Sequence, residues 1–221
     1  GHFWQRIPDS KSGEVAAKIE VQHVSHFSSR VALKKVHNKT WLVTPIKPAT
    51  HLLVVGGVDA RPLITLAGEL GWTITLCDPR PTNARRDYFQ AANTILRCKV
   101  DKLVEEPCLQ QWDAAVVMTH HLRLDAEAIL ALQQAPSLKY LALLGPKARK
   151  QQVFTLAGLQ EKDLRIPVAG PAGLQLGAEL PEGIALSILS ECHAVLHQAD
   201  AHSISDLLRP WQTLPSVAVS G

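Results

Sequence analysis

The sequence predicts an α/β fold: a doubly wound, mostly parallel Rossmann-like sheet preceded by a small β-rich N-terminal arm. Three observations predict it. From His51 onward, apolar runs of strand length alternate with stretches of helical periodicity, the pattern of parallel strands joined by right-handed helical crossovers. The run DAAVVMTH, Asp113 to His120, is apolar through its middle, as in a strand buried on both faces. The stretch HLLVVGGVDARPLITLAGELGWTITLCDPRP, His51 to Pro81, has the strand, glycine turn, helix and second strand of a dinucleotide-binding unit, closed by Asp78.

The elements follow in order. Residues 1–48 form the β-rich arm or linker: AAKIEVQHV, RVALKKV and TWLVTPI are short strands, and HNK, His37 to Lys39, is a hairpin turn. Composition shifts at Pro45 to Ala49, and residues 49–221 form the main domain. Its first strand is HLLVVGG, from His51. Its first helix runs from Arg61 to Leu70, with Pro62 tolerated in the first turn and Gly71 as the stop. WTITLCD is the second strand. After the Asp113–His120 strand come a helix from Asp125 to Gln134, the strand LKYLALLG and a helix from Lys147 to Leu156. Pro181 and Glu182 open a last helix with Ile184, Ile188, Leu189, Cys192, Val195 and Leu196 on one face.

Bulk properties limit the function. At 221 residues, 46% hydrophobic and 19% charged, the chain carries enough apolar surface for a sizeable core. A net charge of +3 argues against a nucleic-acid partner, which requires a concentrated basic face. No apolar run reaches the ~20 residues of a membrane span. GHFWQRIPDS lacks the apolar core of a signal peptide, and Gly1 in place of Met suggests a chain that starts inside a longer product or at an added residue. Cys77, Cys98, Cys108 and Cys192 form no C-x-x-C pair, so reduced thiols and a cytoplasmic location are expected.

In doubly wound sheets ligands lie beyond the C-terminal ends of the strands. Those ends are Gly56-Gly57, Asp78, Thr119-His120-His121 and Gly145-Pro146. In the glycine turn, Val55 stands at the first glycine position, Gly57 at the second and Ala60 at the third. Either Val55 is the last strand residue and Gly56-Gly57 turn one step later, or the loop is altered. Asp78, 21 positions after Gly57, is the expected ribose-binding carboxylate, which favours NAD over NADP.

Several of these segments together resemble the C-terminal Rossmann-like domain of XdhC/CoxI-type proteins, accessory factors of xanthine dehydrogenase and related molybdenum hydroxylases. The family pattern G-A-G-H-[DV]-A-x-P-L has its counterpart at Val55 to Leu63, D-x-R at Asp78 to Arg80, and T-H-[DN] with a following Asp at Thr119 to Asp125. L-L-G-[SP]-x-x-[RK] is matched at Leu143 to Arg149, and G-L-D-I-G-A-x-[TS]-P-E-E-I-A-L-S-I-x-A-E at Gly173 to Glu191. PEGIALSILSE is the most specific part, and the resemblance covers Thr44 to His197. The sequence departs from the pattern at Val55, at Val58 for histidine, at Gln175 for aspartate and at Gly183 for the second glutamate.

The resemblance implies a chaperone that holds molybdenum cofactor (molybdopterin), supports its sulfuration by a cysteine desulfurase and passes it to a xanthine dehydrogenase-type apoenzyme. It implies a cofactor-binding set of Gly56, Gly57, Val58, Asp59, Arg61, Asp78, Arg80, Thr119, His120, His121, Gly145, Lys147 and Arg149. No residue is assigned a catalytic or metal-ligating role: His193 and His197 have helical spacing but lack the Glu of H-E-x-x-H. Glu191 is read as structural, Cys108 as a plain surface thiol, and the last helix as core on one face with a homodimer contact as the functional alternative. Two other classes compete. An NAD(P)-dependent oxidoreductase would draw its acid or base from His120, His121 or Asp125. A non-catalytic dimeric scaffold would bind no small molecule.

Overall fold

The computed structural model describes residues 2–6, 17–20, 32–36, 39–45 and 49–205, with side chains from Ala49 onward. The chain divides into two compact units, Gly1–Ala49 and Thr50–Gly221. The first holds β1 (His2–Arg6), β2 (Ala17–Glu20), β3 (Ala32–Val36) and β4 (Lys39–Pro45), paired antiparallel in the order β2-β1-β4-β3. Strand β1 adds to the three strands read in this arm. Val36 pairs with Lys39, and the residues between them, 37 and 38 of the expected turn, lie outside the described residues.

Among its described residues the second unit has six parallel strands: β5 (His51–Gly56), β6 (Thr73–Cys77), β7 (Thr94–Leu96), β8 (Ala114–Met118), β9 (Tyr140–Leu143) and β10 (Val168–Ala169). Their order, β10-β9-β8-β5-β6-β7, reverses direction of travel between β5 and β8. Among the described residues four helices cover the sheet: α1 (Arg61–Glu69), α2 (Leu122–Leu132), α3 (Lys147–Ala157) and α4 (Pro181–His197).

The period-two alternation of side chains divides the core between two faces. Leu53, Val55, Ala115, Val117, Leu141 and Leu143 point to one face and pack with α2 and α3 through Ala128, Ile129, Leu132, Val153 and Phe154. Leu52, Val54, Val116 and Ala142 point to the other and pack with α1 and α4 through Leu63, Ile64, Ile188 and Cys192. Val55 is therefore the penultimate residue of β5, paired with Cys77 and Val117, and the turn comes one step later at Gly56-Gly57.

Three points differ from the sequence reading. Helix α2 begins at Leu122, ahead of Asp125, because the His121 side chain caps it: Leu124 N–H donates to Nδ1 at 3.4 Å. On α4 the sheet-facing stripe runs through Ala185, Ile188, Leu189 and Cys192, so Val195 lies off it and is 45% exposed. Cys108 is half-buried against the α2/α3 core, and desolvation raises its thiol pKa, so it is not a plain surface thiol.

Candidate functional site

The reversal of strand order opens a crevice between the C-terminal ends of β5 and β8. Gly56 closes β5 against Met118, where a Cβ would lie 2.9 Å from the Met118 carbonyl oxygen, so only glycine allows the two strands this approach. The chain then makes a short 3₁₀ turn, Val58–Ala60, and enters α1 at Arg61; neither start has a side-chain cap. Val58, Asp59 and Arg61 are exposed on this rim. A side chain at Gly57 would point at Asn83, 3.1 Å from Nδ2.

Asp78, at the end of β6, is fully buried. Its Oδ1 accepts from the Arg80 backbone N–H at 2.8 Å and from Arg80 Nε at 2.9 Å. Its Oδ2 accepts from Arg80 Nη2 at 2.6 Å and from Asn83 Nδ2 at 3.2 Å. Four donors use the lone-pair capacity that a ribose would need. The side-chain hydrogen bond to Asp78 in turn raises the Arg80 pKa. Arg80 Nη2 also donates to the Thr119 carbonyl at 3.2 Å, which ties the end of β6 to the end of β8.

Thr119 is held from the other side as well. Its N–H and Oγ1–H donate to Asp125 Oδ1 at 3.2 and 2.6 Å, and Arg149 Nη2 donates to Asp125 Oδ2 at 2.5 Å. Asp125 is fully buried, and the Arg149 side chain is 20% exposed. Gly145 follows β9 with φ +128, and a Cβ there would run into the Arg149 chain. Lys150 is also engaged, donating to the Val168 carbonyl and pairing with Glu161, both at 2.6 Å. Of the three basic residues after β9, Lys147 is the exposed one, at the start of α3.

His120 and His121 diverge. His121 caps α2, whereas His120 has φ 59, left-handed backbone that only a few per cent of non-glycine residues adopt. Its Nε2 lies 3.1 Å from Asp59 Oδ2. The His120 and Asp59 side chains line a hollow of about 180 Å³ whose walls are apolar, with Met118 from β8, Leu144 just past β9, Leu63 from α1, and Ile184 and Ile188 from α4. The loop beside α4 is fixed by Glu191, which accepts from Tyr140 Oη at 2.6 Å and from Gly173 N–H at 2.8 Å. Burial first, then that bond, raises the Tyr140 pKa.

The structure thus brings Gly56, Gly57, Asp59, Thr119 and His120 to one switch point, saturates the Asp78 carboxylate, and engages Arg80 and Arg149 with buried internal carboxylates. Sequence reasoning missed Asn83 and the hydrophobic walls of the hollow. Asn83 had no signal beyond a turn-rich run, PRPTNARRD, and Ile184 and Ile188 were read only as core. His193 stacks on Trp72 at 6.5 Å and lies 4.2 Å from the His197 ring. Among the described residues no helix is long and apolar enough to cross a membrane.

A parallel sheet in this strand order, with a glycine turn and a crevice at its reversal point, defines a Rossmann-like domain. The chain belongs to the XdhC Rossmann domain family, which matches residues 52–192. It is 29% identical over 194 residues to a probable xanthine dehydrogenase subunit of Bacillus subtilis (strain 168), covering 86% of this chain and 54% of that protein. It is 28% identical over 159 residues to the Escherichia coli (strain K12) "Uncharacterized protein YqeB", covering 70% of this chain and 28% of that one. The chain thus spans about half of the first relative and less of the second. A crystal structure of a Bacillus halodurans protein described as a xanthine dehydrogenase superposes with a TM-score of 0.62 at 22% identity, covering 89% of this chain and 62% of that one, a likeness of fold.

Proposed function

We propose that this chain is the Rossmann-like part of an accessory protein to a xanthine dehydrogenase-type molybdenum hydroxylase, one that binds molybdopterin at the β5/β8 crevice and hands it on without turnover. The family match supports the accessory role. One observation favours molybdopterin over NAD(P): Asp78 is saturated by Arg80 and Asn83, so no acceptor remains there for an adenosine ribose. A molybdopterin without a nucleotide tail makes no such demand.

The residues fit the phosphate end of that ligand. Helix α1 opens without a side-chain cap, and Arg61 is exposed at its first position. Lys147 is exposed at the start of α3, which also lacks a side-chain cap. Amide donors and cations at helix starts favour a phosphate. The bound cofactor would supply the molybdenum chemistry of the client enzyme. The domain's own part is to hold one end, orient the other toward the hollow and exclude water from its apolar walls. A cysteine desulfurase and a second copy of this chain are further proposed partners, and the cytoplasm is the proposed location.

The test is to mix the purified protein anaerobically with molybdopterin, follow co-elution with molybdenum analysis, then add apo-dehydrogenase and assay activity. Replacing both His120 and His121 by Ala is expected to reduce retention or transfer while the fold persists. If nothing co-elutes and activation matches free cofactor, the carrier reading fails and the scaffold reading replaces it.

A further inference from the structure

We propose that the hollow between α1, α4 and the ends of β8 and β9 is a subsite for one flat heterocycle with a 2-amino-4-oxo edge, as in a pterin or guanine, and that Asp59 reads that edge. The inference rests on the molybdopterin reading only for the choice of pterin over guanine; the subsite itself rests on shape and chemistry.

Size comes first. About 180 Å³ is roughly six waters' share of liquid volume, well below the ~300–1,000 Å³ of pockets that take a whole drug-sized ligand. One ring system fits and a dinucleotide does not. The walls come next. Met118, Leu144, Ile184 and Ile188 are apolar and belong to elements on different sides of the hollow, so a flat ring would bury both faces. Such a space rewards an aromatic system and penalises a sugar or a free phosphate.

The polar groups select the edge. Among the lining residues only Asp59 and His120 bring ionisable side chains, paired at 3.1 Å through Asp59 Oδ2. A carboxylate is an acceptor with no hydrogen of its own, so it asks for N–H donors. A ring that offers an exocyclic amino group beside a ring N–H supplies two donors in line, the geometry a carboxylate accepts in pairs. His120 holds Asp59 at the mouth, and its left-handed backbone is a strained state of the kind that concentrates at ligand sites.

The probes are 6-hydroxymethylpterin, its 2-oxo counterpart 6-hydroxymethyllumazine, guanosine and NADH, titrated by fluorescence or calorimetry into the full chain. The pterin is expected to bind saturably and more tightly than the lumazine. Asp59→Asn should weaken pterin about tenfold to a hundredfold, the value of a hydrogen bond to a charged group, and should remove the discrimination against lumazine. Asp59 is 72% exposed at its side chain, so this variant tests recognition with the fold intact. Ile188→Phe, which fills the hollow, should abolish binding, and circular dichroism shows whether it folds. Guanosine binding in place of pterin would keep the subsite and overturn the molybdopterin reading. Equal affinity for pterin and lumazine, an unchanged Asp59→Asn variant, or NADH bound with pterin refused overturns the subsite. If molybdopterin still co-elutes with Asp59→Asn undiminished, the subsite falls while the carrier reading stands.

Discussion

Replacing Arg149 by Met takes away the guanidinium that faces Asp125 at 2.5 Å and leaves the carboxylate fully buried with only the two Thr119 donors. Removing one partner of a buried ion pair costs about 3–5 kcal/mol, because the remaining charge has lost its counter-ion and cannot recover water. Arg149 is 20% exposed, so some water already reaches the pair, and the lower end, about 3 kcal/mol, is the appropriate figure. For a domain of this size that is roughly 6–12 °C in Tm, measured by calorimetry or circular dichroism. The double variant Asp125→Asn with Arg149→Met removes both charges and should recover part of the loss. The experiment separates two roles that the sequence left together. If Arg149 were a phosphate clamp, Arg149→Met would weaken phosphate-bearing ligands and leave the melt unchanged. A shift below about 2 °C would refute the bracing argument. Lys147→Ala is the matched control, expected to leave Tm within about 1 °C because Lys147 is exposed.

Three other outcomes follow. Asp78→Asn should lower Tm by several degrees, since Arg80 loses its charged partner, while NAD affinity in the same variant stays at the wild-type level by calorimetry. Gly56→Ala should cost about 1–3 kcal/mol in urea denaturation, because the new methyl meets the Met118 carbonyl of a paired strand that cannot retreat. Stability should fall as the pH rises above about 9. The buried Cys192 thiol is raised from 9.0 to about 12 by desolvation first, so between those values the unfolded chain releases a proton that the folded chain keeps. That single group removes about 1.4 kcal/mol per pH unit. A buried Cys77, raised by desolvation as well, acts in the same direction, and a melt unchanged from about pH 8 to about pH 10.5 would contradict both.

Much of the sheet was legible because strands buried on both faces must be apolar throughout: LLVV, AAVVM and YLAL each read as such. Strands β7 and β10 were missed because three and two residues carry no periodicity. The start of α2 was misplaced because histidine is not among the usual capping residues, so Asp125 drew attention that belonged to His121. At the site, the spacing from Gly57 found Asp78 but could not show its saturation, which depends on Asn83 and on a backbone N–H two residues on. The hollow was invisible for a related reason. Its walls come from β8, the residue after β9, α1 and α4, and an apolar residue facing a void looks the same in sequence as one facing the core.

The Thr119 carbonyl accepts from Arg80, and the Thr119 N–H donates to Asp125. Those two contacts, with Arg149 behind Asp125, stitch β6, β8, α2 and α3 into one stiff floor under the crevice. The rim is built otherwise, from the exposed Val58, Asp59 and His120. A ligand seated there meets a base already in its bound shape and gives up little ordering entropy to it. Whatever gives way on release must therefore be the rim. In hydrogen exchange the Thr119 amide should open only with the whole domain, while those of Val58 and Asp59 should exchange through local fluctuation.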